Sequence, residues 1–95
     1  MILNGKEVRF SITDLRDAKK YEEAIEKLKA KEEELLASGN EYTLQETMQE
    51  IIQICRETIK DMTGVDVLKG CHDALKAKGV LYQFFAEVTR QSQAF

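Results

Sequence analysis

Two periods divide the chain. From Met1 to Ile12 apolar and polar residues alternate, and from about residue 14 onward the apolar positions recur every three or four residues, the spacing of one helix face. The first stretch predicts a β-hairpin. Asn4-Gly5 tolerates the positive φ angles of a type I′ turn, and a two-residue turn pairs Leu3 with Lys6 and Met1 with Val8. That register gathers Met1, Leu3, Val8, Phe10 and Ile12 on one face and leaves Glu7, Arg9 and Ser11 on the other. The first strand is too short to cover the second, so Arg9 to Ile12 is expected to present an unpaired edge. A lone hairpin is marginal in water, so its apolar face must dock on the helices or on a neighbouring chain.

The helical part predicts three or four helices. Thr13 or Asp14 caps a first helix over 14–37, stopped by Gly39-Asn40. Ala18, Tyr21, Ile25, Leu28 and Leu35 keep a heptad rhythm that Glu32 interrupts, so the C-terminal half of this helix is expected to project from the core. Three opposite-charge pairs, Lys19–Glu23, Glu23–Lys27 and Lys29–Glu33, stand four residues apart on its surface; each is worth only about 0.2–0.5 kcal/mol. The second helix, 43–62, is the expected core element. Leu44, Met48, Ile51, Cys55 and Met62 share a face that Ile52 and Ile59 widen, which suits packing against two neighbours. Its ends are written in: Thr43 with Glu46 has the form of a capping box, and Gly64 suits a left-handed C-terminal residue. Beyond it, Asp66 offers an N-cap and Val67, Cys71, Ala74, Leu81, Phe85, Val88 and Phe95 hold a heptad register. Gly70 and Gly79 interrupt that register. The expectation is a short helix over 66–78, a break at Gly79 and a last helix over 80–94, with one bent helix as the alternative. The fold class is thus mainly α: a short N-terminal β-hairpin followed by a bundle of three to four helices, in one domain spanning 1–95.

Composition narrows the function classes. At 95 residues the chain has room for one modest core, and 43% hydrophobic with 33% charged residues marks a globular chain. A net charge of −3 argues against a nucleic-acid partner. No apolar run approaches the roughly 18 residues of a membrane span, and no basic flank with an apolar h-region opens the chain, so no membrane partner and a cytoplasmic location are expected. The absence of proline fits a mostly helical chain.

Candidate chemistry is sparse. His72, the single histidine, lies between Cys71 and Asp73, but adjacent helical residues point about 100° apart, so Cys-His-Asp in sequence is no constellation in space. His72 is expected at the surface and Cys71 in the core, against the alternative of a thiol or metal role; Cys55 and Cys71 are expected as free thiols. No phosphate-cradling glycine cluster occurs, and Glu32-Glu33-Glu34 suits a solvated face better than a cation site. No catalytic, cofactor or metal residue is expected. Lys60, Lys69, Lys76 and Lys78 form a candidate basic patch. Tyr82, Phe84 and Phe85 cannot all face one core: either their helix touches two neighbours, or an apolar patch is left for self-association or a partner helix.

Two segments carry a family resemblance: Asn-Gly-Lys-Glu-Val-Arg-Phe-Ser-Ile-Thr-Asp at Asn4–Asp14 and Asp-Ala-Lys-Lys-Tyr-Glu-Glu-Ala-Ile-Glu-Lys at Asp17–Lys27. An apolar hairpin of this form running into a Lys-Tyr-Glu-x-Ala helix resembles small tail-module proteins of long-tailed phages and prophages of Gram-positive bacteria, the tail assembly chaperones. Gln53–Thr58 and Leu81–Val88 follow in the expected order. The resemblance implies a non-enzymatic protein in the bacterial host cell. Such a protein binds the tape measure protein, keeps it soluble and helps recruit tail tube subunits. On that reading Tyr21, Ile25, Leu28 and Leu35, with the aromatic helix Leu81–Val88 that carries Tyr82, Phe84 and Phe85, supply the partner surface, and the Arg9–Ile12 edge, with Phe10, mediates homo-oligomerisation. The motive is more apolar stripe than one small core needs. The alternatives are a structural tail subunit forming a ring through the same edge, and a small regulatory or antitoxin-like helical domain.

Overall fold

The computed structural model describes residues 1–38 and 41–93. It is mainly helical: strands β1 (Ile2–Leu3) and β2 (Lys6–Glu7) form an antiparallel hairpin, followed by helices α1 (Leu15–Ala37), α2 (Leu44–Thr63) and α3 (Ala74–Ser92). The hairpin has the expected register, Ile2 opposite Glu7 and Leu3 opposite Lys6, with the Val8 amide bonded to the Met1 carbonyl. Asn4 at φ 49° and Gly5 at φ 77° make the turn that a two-residue connection of this twist requires. Leu3, Val8 and Phe10 are buried and Met1 and Ile12 half-buried against them, so the apolar face docks on the helices of its own chain.

Asp14 rather than Thr13 caps α1, accepting from the Arg16 amide. The expected stop of α1 at Gly39-Asn40 lies outside the described residues. Helix α2 has both predicted ends. The Thr43 hydroxyl accepts from the Glu46 amide at 3.1 Å, and the Gly64 amide at φ 74° closes the last turn onto the Lys60 carbonyl. The reciprocal half of the capping box differs in detail, because Glu46 accepts from the Thr43 hydroxyl and not from its amide.

After α2 the expectation fails. No helix spans 66–78, and Gly79 breaks nothing: α3 starts at Ala74, capped by Asp73 through the Leu75 and Lys76 amides, and runs through Gly79 to Ser92. Asp66 is not an N-cap. It takes a bidentate pair from Arg56 of α2 (2.8 and 2.6 Å), which ties the segment after α2 back along that helix. The segment is held further by Val67 and Leu68, both fully buried, and by the Asn4 side chain donating to the Val67 carbonyl at 2.8 Å. Bonds from the hairpin and from α2 thus hold this stretch as a crossover rather than a helix, with Lys6 of the hairpin also donating to the Asp66 carbonyl.

The crossover has a topological reason. Lys27–Asp61 (3.2 Å) and Lys31–Glu57 (3.5 Å) place α2 antiparallel to α1. Of these, Lys27 is the lysine expected to pair with Glu23 within α1, and it reaches Asp61 of α2 instead. Early α3 lies beside the C-terminal half of α1 and Phe85 meets Tyr21 near its start, so α3 opposes α1 and runs in the sense of α2. Two consecutive helices of the same sense need a connection that carries the chain back, and residues 64–73 supply it. Helix α2 is therefore central, as its broad apolar stripe predicts, with Ile54, Cys55, Thr58, Ile59 and Met62 buried between its neighbours. The buried Thr58 hydroxyl is satisfied by the Ile54 carbonyl.

Candidate functional site

The Arg9–Ile12 segment is not an open edge. The Gln91 side chain of α3 accepts from the Ile12 amide (2.9 Å) and donates to the Phe10 carbonyl (3.1 Å), and Asp17 accepts from the Ser11 amide (2.9 Å). Three backbone groups that a neighbouring strand would need are thus taken within the chain. Arg9 remains exposed and Ile12 half-buried, while Phe10 is a core residue. Its ring meets Phe84 edge-on at 5.0 Å and Tyr21 at 6.3 Å, and Tyr21 meets Phe85 at 6.3 Å and 90°, so one aromatic cluster joins the segment before α1 to α3.

The partner surface expected from the sequence divides accordingly. Phe84, fully buried, Phe10 and Leu28 belong to the core and are corrected as surface residues. Tyr21 and Ile25 are half-buried against that core. Leu35, Phe85 and Tyr82 do come together, in an open groove.

The groove, about 320 Å³, lies between α1 and α3 and has α2 as its floor. Its α1 wall is Leu28, Glu32, Leu35 and Leu36; its floor is Ile51, Ile54 and Cys55; its α3 wall is Lys78, Leu81, Tyr82 and Phe85. Glu32 explains the interrupted heptad: at the position where an apolar residue would close α1 onto α3, the chain carries a charge and the two helices stay apart. Leu36 (81% exposed) and Tyr82 (62%) stand on opposite rims. Leu44 (76%) and Met48 (41%) continue the Ile51–Cys55 stripe past the groove and are uncovered, contrary to the expectation that the whole α2 face is core. Spacing alone could not reveal this, since a stripe reads the same whether or not a neighbour covers it. The signal available for Leu36, Ile51 and Lys78 is the position of Glu32, which marks where the seam opens.

Cys55 at the floor is buried, and burial pushes its thiol up to about 11, with Glu32 and Cys71 adding to the shift and Lys78 opposing it. It stays protonated and behaves as a small hydrophobe. His72 is exposed and Cys71 half-buried rather than core. Among the described residues no group of three His, Cys, Asp or Glu side chains is placed to hold a metal ion, and no helix is long and apolar enough to cross a membrane. A smaller hollow of about 40 Å³ on the other flank of the α1–α2 pair is edged by Lys31, Glu34, Tyr42 and Glu50, and a third, of about 310 Å³, is lined mainly by the charged Lys20, Glu23, Lys27 and Asp61. The chain matches no protein-family model, no curated protein and no solved structure.

Proposed function

We propose that the chain is a non-enzymatic assembly protein that binds an amphipathic helix of a partner in the α1–α3 groove. The observation that carries this reading is the groove itself, about 320 Å³ of apolar-floored space with Leu36 and Tyr82 uncovered on its rims. A cavity of about 150 Å³ holds one benzene, so the space suits two large apolar side chains from one helix face. The resemblance at Asn4–Lys27 supplies the biological frame. A tail assembly chaperone covers the tape measure protein, a long helical chain prone to aggregate, and passes it to tail tube subunits.

The test is co-expression with the tape measure protein of the same genome. The reading expects the tape measure chain to shift from the pellet to the soluble fraction with the wild-type chain, and to stay in the pellet with a Leu36→Ser, Met48→Ser variant. Equal insolubility with and without the wild-type chain contradicts it. A structural subunit remains in mature particles and a chaperone does not, so mass spectrometry of purified virions separates those two readings. A ring built through Arg9–Ile12 would have to break the Gln91 and Asp17 bonds first.

A further inference from the structure

Charge at the open end of the bundle specifies the kind of helix that fits it. From Glu32 through Cys55 the chain carries six glutamates, 32, 33, 34, 41, 46 and 50, and no lysine or arginine. This stretch contains the end of α1 and the start of α2, the same two segments that leave Leu36, Leu44 and Met48 uncovered. Glu32 lines the groove itself, Glu33, Glu41 and Glu46 are exposed, and Glu34 and Glu50 edge the smaller hollow on the other flank of the same end. The cations at this end are fewer than the glutamates: Lys31 is paired with Glu57 at 3.5 Å, Lys29 lies on α1 one turn back, Lys76 is exposed in the first turn of α3 and Lys78 stands on the α3 wall. We propose that the groove takes a basic amphipathic helix, one with large apolar residues at i, i+3 or i+4 and i+7 and lysine or arginine flanking them. This rests on the groove being a helix-binding site, and it names the partner's chemistry.

The same charges argue against a second copy of this chain as the occupant. Two open ends brought together would set six glutamates against six, a like-charge juxtaposition that disfavours the pairing. A basic helix meets both requirements at once, apolar contact in the groove and opposite charge on the rim. Seven residues separate Leu28 from Leu35, about 10 Å at the helical rise, so two turns of the partner fill the groove.

The experiment is fluorescence anisotropy of the full chain with three labelled peptides of about 18 residues, long enough to hold a helix when bound. One is an amphipathic leucine–lysine helix, the second has glutamate at every lysine, and the third scrambles the first. At low salt the leucine–lysine helix is expected to bind about 30-fold tighter than the leucine–glutamate helix, the gap falling to about fivefold at high salt. The scrambled peptide and the Leu36→Ser, Met48→Ser chain should each lose about tenfold, and Glu32→Lys with Glu33→Lys should erase the preference for lysine. Equal binding of the lysine and glutamate helices overturns the charge inference while leaving the groove as a helix site. Binding of neither amphipathic peptide overturns both readings. Scrambled and amphipathic peptides binding alike reduces the effect to unspecific charge, and concentration-dependent dimerisation that the lysine helix does not compete away assigns the groove to a second copy; either result overturns the proposal.

Discussion

The two ends of this bundle use similar residues to opposite effect. At the hairpin end, Leu3, Val8, Ile59, Met62, Val67, Leu68 and Phe84 are all essentially without solvent contact, and the connecting backbone is tied down by Gln91, Asp17, Asn4 and Asp66. At the other end, Leu36, Leu44 and Met48 are as apolar and keep the same helical spacing, yet they face water. The difference is coverage. The hairpin and the crossover together roof one end of α2, while Glu32 holds α1 away from α3 at the other. A hydrophobic stripe therefore stabilises the fold only where a second element reaches it, and elsewhere it becomes a surface for something else.

The comparison breaks if the ends respond alike to truncation. Phe84→Ala removes a ring with no exposed surface from the centre of the aromatic cluster, and a loss of about 3–5 kcal/mol is expected, a large part of the stability of a domain this size. Leu44→Ser at the open end should change stability by less than about 0.5 kcal/mol. Urea unfolding of both variants checks the pair, and a Leu44→Ser loss approaching that of Phe84→Ala would mean that the end is closed in solution.

Gln91→Ala sharpens the account of the hairpin end. It strips partners from the Ile12 amide and the Phe10 carbonyl, both part-buried, at an expected cost of about 1–3 kcal/mol, and hydrogen exchange at Ile12 should rise with it. Nothing in the sequence signalled this residue, because a lone glutamine near a terminus has no local pattern and its partners lie about 80 positions away. Where the determinants are local the sequence was legible: Asn4-Gly5, Thr43 and Gly64 each state their turn or cap within four residues. The crossover was misread because Val67, Cys71 and Ala74 mimic a heptad. Asp73 standing directly before Ala-Leu-Lys is the local cue to the true start of α3. The groove was half legible. Leu28, Leu35, Tyr82 and Phe85 are legible as its lining, whereas Leu36 on its rim, and the uncovered Met48 beyond it, need the geometry.

A smaller effect comes from Gly79. An added Cβ there meets nothing within 4 Å and the residue lies inside α3, so Gly79→Ala should stabilise the chain by about 0.5–1 kcal/mol in thermal or urea unfolding. A loss would mean that the helix bends at this position. The smallest effect is acid-dependent. The hydrogen bonds from Arg56 hold the Asp66 carboxyl below its ordinary value of 3.8, despite some opposing desolvation. Because the folded value is depressed, its contribution to stability is complete above about pH 4 and is lost as the pH falls through the lowered value. Asp66→Asn should therefore lower the melting temperature at neutral pH, with the gap to wild type closing in acid. A gap independent of pH would mean that the carboxylate charge is not what anchors the crossover.

The most direct test of the contrast between the ends is a methyl-resolved NMR titration of the full chain with the leucine–lysine helix. The account predicts shifts concentrated at Leu35, Leu36, Met48, Ile51 and Leu81, with Leu3, Val8, Val67 and Leu68 unmoved. Shifts centred on the hairpin and the crossover, or none at saturating peptide, would contradict it.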